Sequence, residues 1–446
     1  MSRKVEKSIM PEGEYGSENH LVTSTNNMGE DIIEIEESFD PHSITGILNV
    51  CKQKLLKPYM RFLSLMGLRP IIDDTNLRFM GKTLNLFYNL QVILFLVTGY
   101  LLQYMSCFRR DRGFGSMNSN LTASKLQMEA LYEKTCSASM ASCFIIPSLL
   151  HFTGYLYALI IFRRNDDDQL PVLIERVFLI SSHVPNMQVN QRHIVKTLWV
   201  FMISSFIWMI ASMALVNYMM AEEDISFRWL ENGPYWAQFS LKILLVVCIL
   251  WHDIVQASVI SNYCLQVQLL RTYVQFIREK LLQTSIRPLE WIRDVEEFRK
   301  LLVYLNEEVA PAVCILGLVN WVYAVSGTVW LLAVRDDSVP LYTAANLLNF
   351  FLWWFIAAVP FVQAARLTMA CENVKTAGQE VRTRPYAHQD TPVQELNSIL
   401  LYTISLKMYA KLYNLPIRGR QIGIIFAILC VVFLVLAQNY RISTSP

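Results

Sequence analysis

Seven long apolar stretches limit the folds open to this chain more than any other feature of its sequence. They cover approximately residues 84–106, 138–162, 198–220, 235–264, 312–334, 341–365 and 421–438. A helix needs about 20 mostly apolar residues to cross a hydrocarbon core of roughly 30 Å, because it rises only about 1.5 Å per residue. Charged residues make up only 17% of the 446 residues, which argues against an ordinary soluble domain.

Each apolar stretch is predicted to be a membrane-spanning α-helix. Backbone amides have no solvent partner inside lipid, so only helices and closed barrels can span it. Barrel strands alternate apolar with polar residues, whereas these stretches are apolar throughout. The expected fold class is an all-α membrane protein with seven transmembrane helices.

The positions of Lys and Arg predict the orientation of these helices, because basic residues favour the cytoplasmic side. The segments on one side of the predicted membrane are the more basic ones, including 163–164, 192–196, 366–384 and 418–420. We therefore expect the N-terminus in the cytoplasm and the C-terminus outside the cell.

The loop over residues 107–137 is expected outside, although it carries several basic residues. It contains Asn120 in the sequon Asn-Leu-Thr, which is glycosylated only on the lumenal or extracellular side. Cys107 and Cys136 lie at its two ends, where the compartment is oxidising. Asn120 is thus a candidate glycosylation site, and the two cysteines are a candidate disulfide pair.

The remaining segments predict a tail and several cytoplasmic helices. Residues 1–40 are polar and acidic, which predicts a disordered tail, and residues 441–446 form a short extracellular tail. An amphipathic helix is predicted over 44–68, before Gly67 and Pro70 end it. Charges at helical spacing over 265–283 and 290–309, and a weaker apolar window at 396–415, predict further helices. Segments 265–311 and 396–415 would form a cytoplasmic bundle within a receptor domain at 41–440, whose last helix covers 421–440.

No motif for catalysis or nucleotide binding occurs in the sequence, which lacks GxSxG, HExxH, P-loop and GxGxxG patterns. Nine cysteines show no CxxC pair and no zinc-type spacing with histidine, so no metal or cofactor is expected. The net charge of +2 gives no reason to expect a nucleic-acid partner. We therefore do not expect an enzyme.

Aromatic and amide side chains in the outer halves of spans two to six predict a pocket for a small molecule. Aromatic walls provide contact area and a few hydrogen-bonding groups fix orientation. Trp and Tyr also form the interfacial belt of membrane proteins, to which we assign Tyr235 and Trp236. The pocket candidates are His151, Gln238, Trp330, Asn346 and Trp354.

His252 and Asp253 form the most suggestive ionisable pair, since both lie within span four. An ionised side chain at membrane depth costs about 2.5–3.5 kcal/mol on insertion scales, so such groups are usually paired and functional. Neighbours on a helix point about 100° apart, so the two are not expected to face each other. A pocket or gating role and ordinary hydrogen bonding between helices both stay open.

The last apolar stretch has no charged residue before Gln438 and Asn439 close it. Amides near the end of an apolar helix can form a polar ring in a pore that is gated by dewetting. A lipid-facing anchor helix would have the same composition, so both readings stay open.

The chain resembles the invertebrate gustatory receptor family, relatives of the insect odorant receptors. The resemblance rests on the segments 57–63 (KPYMRFL) and 67–71 (GLRPI), the inverted seven-span topology, the helix before the last span and Gln438. The family motif is Thr-Tyr, five hydrophobic residues and Gln-Phe. Here Val431-Val432 and Gln438-Asn439 flank the apolar run, so only that run and the Gln are retained in a divergent member.

The resemblance implies a stimulus-gated cation channel, a homo- or hetero-tetramer whose last span lines the pore and whose cytoplasmic helices join the subunits. By position, Val435, Gln438 and Asn439 would lie at the gate. The implied location is the plasma membrane of sensory neurons, with membrane lipid around the spans. The implied stimulus is a small-molecule tastant or, as in a nematode branch of the family, light or hydrogen peroxide.

Two other classes also have many spans. A G-protein-coupled receptor places its N-terminus outside, which the distribution of basic residues contradicts, and the Asp-Arg-Tyr and Asn-Pro-x-x-Tyr motifs of that class do not occur. A secondary transporter would show paired interrupted helices in two corresponding halves. Pro147 and Pro360 interrupt spans two and six, but no repeat accompanies them. The channel is the favoured interpretation, and both of these classes stay open as alternatives.

Overall fold

The structure is a computed structural model. It describes residues 51–71, 79–110, 140–164, 169–181, 187–222, 227, 234–282, 288–333, 340–383, 392–421, 423, 424, 427 and 431. Most of these residues are helical, and the predicted all-α membrane fold is confirmed.

The described residues form ten α-helices and one short hairpin. The helices are α1 (Lys57–Leu65), α2 (Phe79–Met105), α3 (Ile146–Arg164), α4 (Gln169–Ser181), α5 (Met187–Glu222), α6 (Tyr235–Leu282), α7 (Pro288–Tyr304), α8 (Ala310–Ala333), α9 (Pro340–Thr383) and α10 (Val393–Ser405). Single π-helical turns at Lys52–Leu56, Ala141–Ile145 and Leu305–Val309 lead into α1, α3 and α8. Strands β1 (Lys411–Leu412) and β2 (Leu415–Pro416) pair in antiparallel fashion.

Six helical segments in the described part of the chain are long and apolar enough to cross a membrane. They lie on α2, α3, α5, α6, the continuous segment of α7 and α8, and α9, and each overlaps one of the first six predicted spans. Of the predicted seventh span, residues 421, 423, 424, 427 and 431 are described and helical, and the rest lies outside the described residues, so the span stays a prediction.

Helix α6 is the central element of the fold and is much longer than a bilayer is thick. Its 48 residues extend over about 72 Å, more than twice the hydrocarbon core. Buried side chains follow one another along it from Leu245 to Leu281, and it packs against α2, α4, α5, α7 and α9. The helix predicted over 265–283 is therefore a continuation of span four.

The far end of α6 packs with α4 and α7, and α10 packs on α7 and α9; we call this region the anchor end. The indole of Trp291 in α7 is fully buried and donates a hydrogen bond of 3.1 Å to the carbonyl oxygen of Ile277. Tyr402 of α10 donates a 2.7 Å hydrogen bond to Glu296. Partial burial and this carboxylate raise the pKa of Tyr402, so the phenol keeps the proton that it donates. Helix α4, with 13 residues, is too short to span and was not predicted.

The helix predicted over 396–415 is wrong in its second half. Helix α10 ends at Ser405, and the chain then runs extended into the β1–β2 hairpin. Tyr413 and Asn414, between the two strands, have φ angles of 52° and 59°. A two-residue hairpin turn of type I′ requires positive φ at both positions, which a helix excludes.

Asn306 explains why the chain is extended over residues 409–411. Its side-chain amide forms hydrogen bonds with the backbone there, as a neighbouring β-strand would. It donates a 3.0 Å hydrogen bond to the carbonyl oxygen of Tyr409 and accepts one of 2.8 Å from the amide of Lys411. Thr368 of α9 accepts a third, of 3.1 Å, from the amide of Ala410. These distant partners satisfy backbone groups that a helix would have satisfied locally.

Gly378 allows α9 and α10 to pack closely. A Cβ atom at Gly378 would lie 2.5 Å from the hydroxyl oxygen of Thr403. We expect Gly378→Val to push α10 away and to lower the free energy of unfolding by about 1–3 kcal/mol. Thermal unfolding of the purified protein in detergent measures this loss.

Gly419→Val is the matched control, because a Cβ atom at Gly419 would meet no described atom within 4 Å. Equal midpoints of thermal unfolding for the two variants would contradict the close packing of α9 with α10.

Candidate functional site

A tight turn after α2 brings two arginines into the helix bundle. Cys107 has a φ angle of 54°, and the amide of Phe108 donates a 3.0 Å hydrogen bond back to the carbonyl oxygen of Gln103. The Phe108 side chain is fully buried and fixes the turn against the bundle. Arg109 and Arg110 follow directly, and both are more than nine-tenths buried.

Arg110 is the centre of a buried polar cluster that joins four elements. Its guanidinium forms an ion pair with Asp253 of α6 and donates a 3.3 Å hydrogen bond to Ser212 of α5. Ser212 in turn donates a 2.8 Å hydrogen bond to the Asp253 carboxylate. From α9, Asn349 donates to the Arg110 carbonyl oxygen at 3.2 Å, and the Trp353 ring lies 5.0 Å from the guanidinium carbon. We call these five residues the Arg110 cluster.

The two charges of the Arg110 cluster have lost nearly all contact with solvent. The side chain of Arg110 is 4% exposed and that of Asp253 is fully buried. Removing one partner from such a pair typically costs 3–5 kcal/mol, because the other charge is left buried alone. The Nε–H of Arg110 finds no acceptor among the described residues, so the guanidinium keeps one unused donor.

His252 belongs to a second group of polar side chains, which lies between α2, α3 and α6. Its Nε2 is 3.0 Å from the carbonyl oxygen of Leu96, and its Nδ1 is 3.1 Å from the amide nitrogen of Gln103. A carbonyl oxygen only accepts, so Nε2 carries the proton and Nδ1 accepts from the amide. The ring of Tyr100 stacks on this imidazole at 4.4 Å, and its hydroxyl lies 2.6 Å from Nδ1 of His151.

This second group depends on Gly99. A Cβ atom there would lie 2.6 Å from the His252 ring and 2.9 Å from Cβ of Cys248. Only glycine lets α2 approach α6 this closely, and the approach brings the Leu96 carbonyl oxygen within reach of the imidazole.

His252 and Asp253 therefore serve different partners, although they are adjacent in sequence. Successive positions on a helix point about 100° apart. His252 faces α2 and α3, whereas Asp253 faces α5 and the Arg110 turn. Each residue forms a hydrogen bond to another helix, and a pocket or gating role stays a prediction.

The remaining pocket candidates in the described part of the chain lie mainly on α9 and its neighbour α8. Trp354 donates a 3.1 Å hydrogen bond to Thr328 and makes an edge-on contact with Trp321 at 5.2 Å. Asn346 is buried one turn before Asn349 on α9. Gln238 is half-buried near the start of α6 and is not among the contacts of the Arg110 cluster.

Several predicted site residues lie outside the described residues. They are Asn120, Cys136, the side chain of Trp330, and the gate residues Val435, Gln438 and Asn439. Cys107 is disulfide-bonded, and its pairing with Cys136 stays a prediction.

The sequence prediction missed Arg110, which pairs with Asp253 and Ser212 inside the helix bundle. Arg109 and Arg110 were counted as charges of an external loop. One sequence signal pointed to them: basic residues are usually rare in loops on the outer side, yet this loop carries several.

Comparisons with known proteins show the fold of this chain but not its family. No protein-family model and no curated protein matches the sequence. Among solved structures, the chain is similar to the insect olfactory receptor OR5 from Machilis hrabei, determined in complex with eugenol. The TM-score is 0.57 and the identity 11%, and the match covers 87% of this chain and 100% of the receptor. The chain therefore has the all-helical membrane fold of an insect olfactory receptor.

Proposed function

We propose that this chain is a subunit of a stimulus-gated cation channel of the chemoreceptor kind, with the Arg110 cluster as part of its sensor. The observation that carries the proposal is the buried ion pair of Arg110 and Asp253. Charged groups at membrane depth are rare and usually functional. Well-packed apolar residues often replace a buried ion pair without loss of stability, so stability alone does not account for the pair. The shared fold with an olfactory receptor supports a receptor.

The geometry of the Arg110 cluster suits a switch. One side chain holds α5, α6 and α9 to the turn after α2, so its displacement changes the contacts of all four elements together. A ligand would favour the displaced arrangement of Arg110 over the paired one only as far as it binds the displaced arrangement more tightly. A small molecule with hydrogen-bond acceptors would compete for Arg110, whose Nε–H is unused.

The exposed face of α10 supports assembly into a tetramer. Val393, Leu401 and Ile404 are each more than 60% exposed, although α10 lies at the anchor end and is not one of the spanning helices. Apolar side chains exposed outside lipid usually mark an interface with another chain. In the proposed arrangement these helices join homo- or hetero-tetramers in the cytoplasm, and the last span surrounds the pore. The protein would then work in the plasma membrane of sensory neurons.

The stimulus would be a small-molecule tastant. Two tryptophan pairs, one of which includes Trp353 of the Arg110 cluster, favour light or hydrogen peroxide as a second candidate. Trp208 lies edge-on to Trp353 at 6.2 Å, and Trp321 lies edge-on to Trp354 at 5.2 Å. Indole rings absorb ultraviolet light and are oxidisable. Current recordings from cells expressing the chain, with sugars, bitter compounds, peroxide and short-wavelength light in turn, test the proposal and separate its two forms. A lack of current with every stimulus, at normal surface expression with candidate partner subunits, would contradict it.

Replacing both charges of the ion pair separates sensing from stability. Arg110→Met or Asp253→Leu alone leaves one buried charge and should lower the free energy of unfolding by about 3–5 kcal/mol. The double variant should recover to within about 1 kcal/mol of the natural chain but lose its response to the stimulus. Thermal unfolding and current recording measure the two effects.

The matched control is Lys280→Met with Asp294→Leu, which removes a partly exposed ion pair of 2.7 Å at the anchor end. This control should respond normally. A stable Arg110→Met/Asp253→Leu channel with an unchanged stimulus response would refute the sensor role.

Gln438→Ala tests the proposed pore. If the last span lines the conduction path, loss of the amide should change single-channel conductance or relative cation permeability at least about twofold, since the polar ring at the gate is removed. Gln268→Ala, which removes an amide from α6, serves as control. Unaltered permeation in the Gln438→Ala channel, at normal surface expression, would count against the pore assignment.

A further inference from the structure

A cavity lies next to the Arg110 cluster, on the side of the anchor end. Its volume is about 220 Å³, and it is bounded by α5 over 201–208, α6 over 257–264 and α9 over 355–363. We call it the anchor-side cavity. Trp208 separates it from the Arg110 cluster, because its indole lies edge-on to Trp353 and donates a 3.2 Å hydrogen bond to the Leu352 carbonyl oxygen.

The depth of the anchor-side cavity along α6 places it near one surface of the bilayer. Tyr235 and Trp236, at the start of α6, are mostly exposed, as expected for an aromatic belt at the opposite surface. Ala257 lies 22 residues further on, about 33 Å along the axis, and a hydrocarbon core measures roughly 30 Å. The cavity is therefore level with the boundary between acyl chains and headgroups on the side of the anchor end.

One wall of the anchor-side cavity reaches the outer face of the bundle. Phe355 lines the cavity and is also 52% exposed on α9. In a membrane this face meets lipid, so a molecule dissolved in the adjacent leaflet can reach the cavity without passing through water.

Gln363 gives the cavity a specific polar point. Its side chain is 5% exposed and lines the cavity, and its Oε1 accepts no hydrogen bond from any described residue. An unsatisfied buried acceptor is unfavourable, and a ligand with a donor at this point would relieve it. Ser204, Ser205 and Ser261 add hydroxyls, the other walls are largely apolar, and none of the described lining residues carries a charge.

The volume of the cavity sets the size of its ligand. An apolar cavity of about 150 Å³ holds benzene, with its six carbon atoms. On that scale about 220 Å³ holds a molecule of about nine or ten non-hydrogen atoms.

We propose that the anchor-side cavity is a binding site for a small uncharged amphiphile from the adjacent lipid leaflet. Its hydroxyl or amide N–H would donate to Oε1 of Gln363, and its apolar body would pack among the aliphatic and aromatic walls. The site is separate from the Arg110 cluster and does not depend on the proposed channel function, because binding alone defines it.

Photolabelling of the full chain in lipid nanodiscs tests this site. The probe is a diazirine analogue of 4-propylphenol, whose parent has ten non-hydrogen atoms and one donor, and peptide mapping locates the label. We expect saturable labelling within 257–264 or 355–363. Competition by 4-propylphenol should require about tenfold less compound than competition by propylbenzene, which lacks the donor.

Variants separate the hydrogen bond from the cavity. Gln363→Met keeps the side-chain volume and removes the acceptor, so 4-propylphenol should lose its tenfold advantage. Ala257→Leu fills the cavity and should weaken competition by both compounds at least tenfold. If Ala257→Leu does not fold, Ser205→Leu is used as the cavity-filling variant. Gln268→Met, an amide on α6 outside the cavity, should behave like the natural chain.

Three results would overturn the proposal. The first is an absence of saturable labelling in these segments, which would mean that only water or a lipid chain fills the cavity. The second is equal potency of 4-propylphenol and propylbenzene on the natural chain. The third is undiminished labelling when a folded Ala257→Leu or Ser205→Leu protein is used. None of these readouts involves current, so failure here leaves the proposed channel function untouched.

Discussion

The absence of water inside a bilayer is the constraint on which the rest of this structure depends. A polar group at membrane depth is costly unless it finds a partner within the protein. Backbone amides meet this requirement by forming helices, but the Arg110 guanidinium needs partners from other elements. The guanidinium pairs with Asp253 of α6 and Ser212 of α5. The backbone carbonyl oxygen of Arg110 accepts a hydrogen bond from Asn349 of α9. The buried Arg110 therefore connects three spanning helices, α5, α6 and α9.

The same constraint explains which parts of the fold could be predicted from the sequence. Spans are continuous apolar runs, and α6 could be followed beyond the membrane because its charges keep helical spacing. The hairpin after α10 could not be predicted, because its extended backbone is held by Asn306 and Thr368, which are far away in the chain. Local sequence pattern contains no information about such partners.

The candidate site was predictable only in part, for a related reason. An ionisable residue in an apolar run is conspicuous, so His252 and Asp253 were recognised from the sequence. Arg110 follows the apolar run and was counted with a basic loop. Its burial resolves part of the charge anomaly in that loop, since Arg109 and Arg110 are buried charges and not surface ones. When an arginine lies next to a span on the outer side, where basic residues are rare, an acidic residue within the spans is a candidate partner for it.

Helix α9 connects all of these features along one axis. It carries Trp353 in the Arg110 cluster and Gln363 in the anchor-side cavity, and then Thr368 against the hairpin and Gly378 against α10. Pro360 lies between the first of these points and the last, where it lacks an amide donor and crowds the preceding turn. Proline at such a position typically kinks a helix, and the contacts of α9 with the Arg110 cluster and with the hairpin lie on either side of it. The anchor-side cavity is lined by the same part of α9, so a molecule bound there would touch the segment that connects the Arg110 cluster to the hairpin.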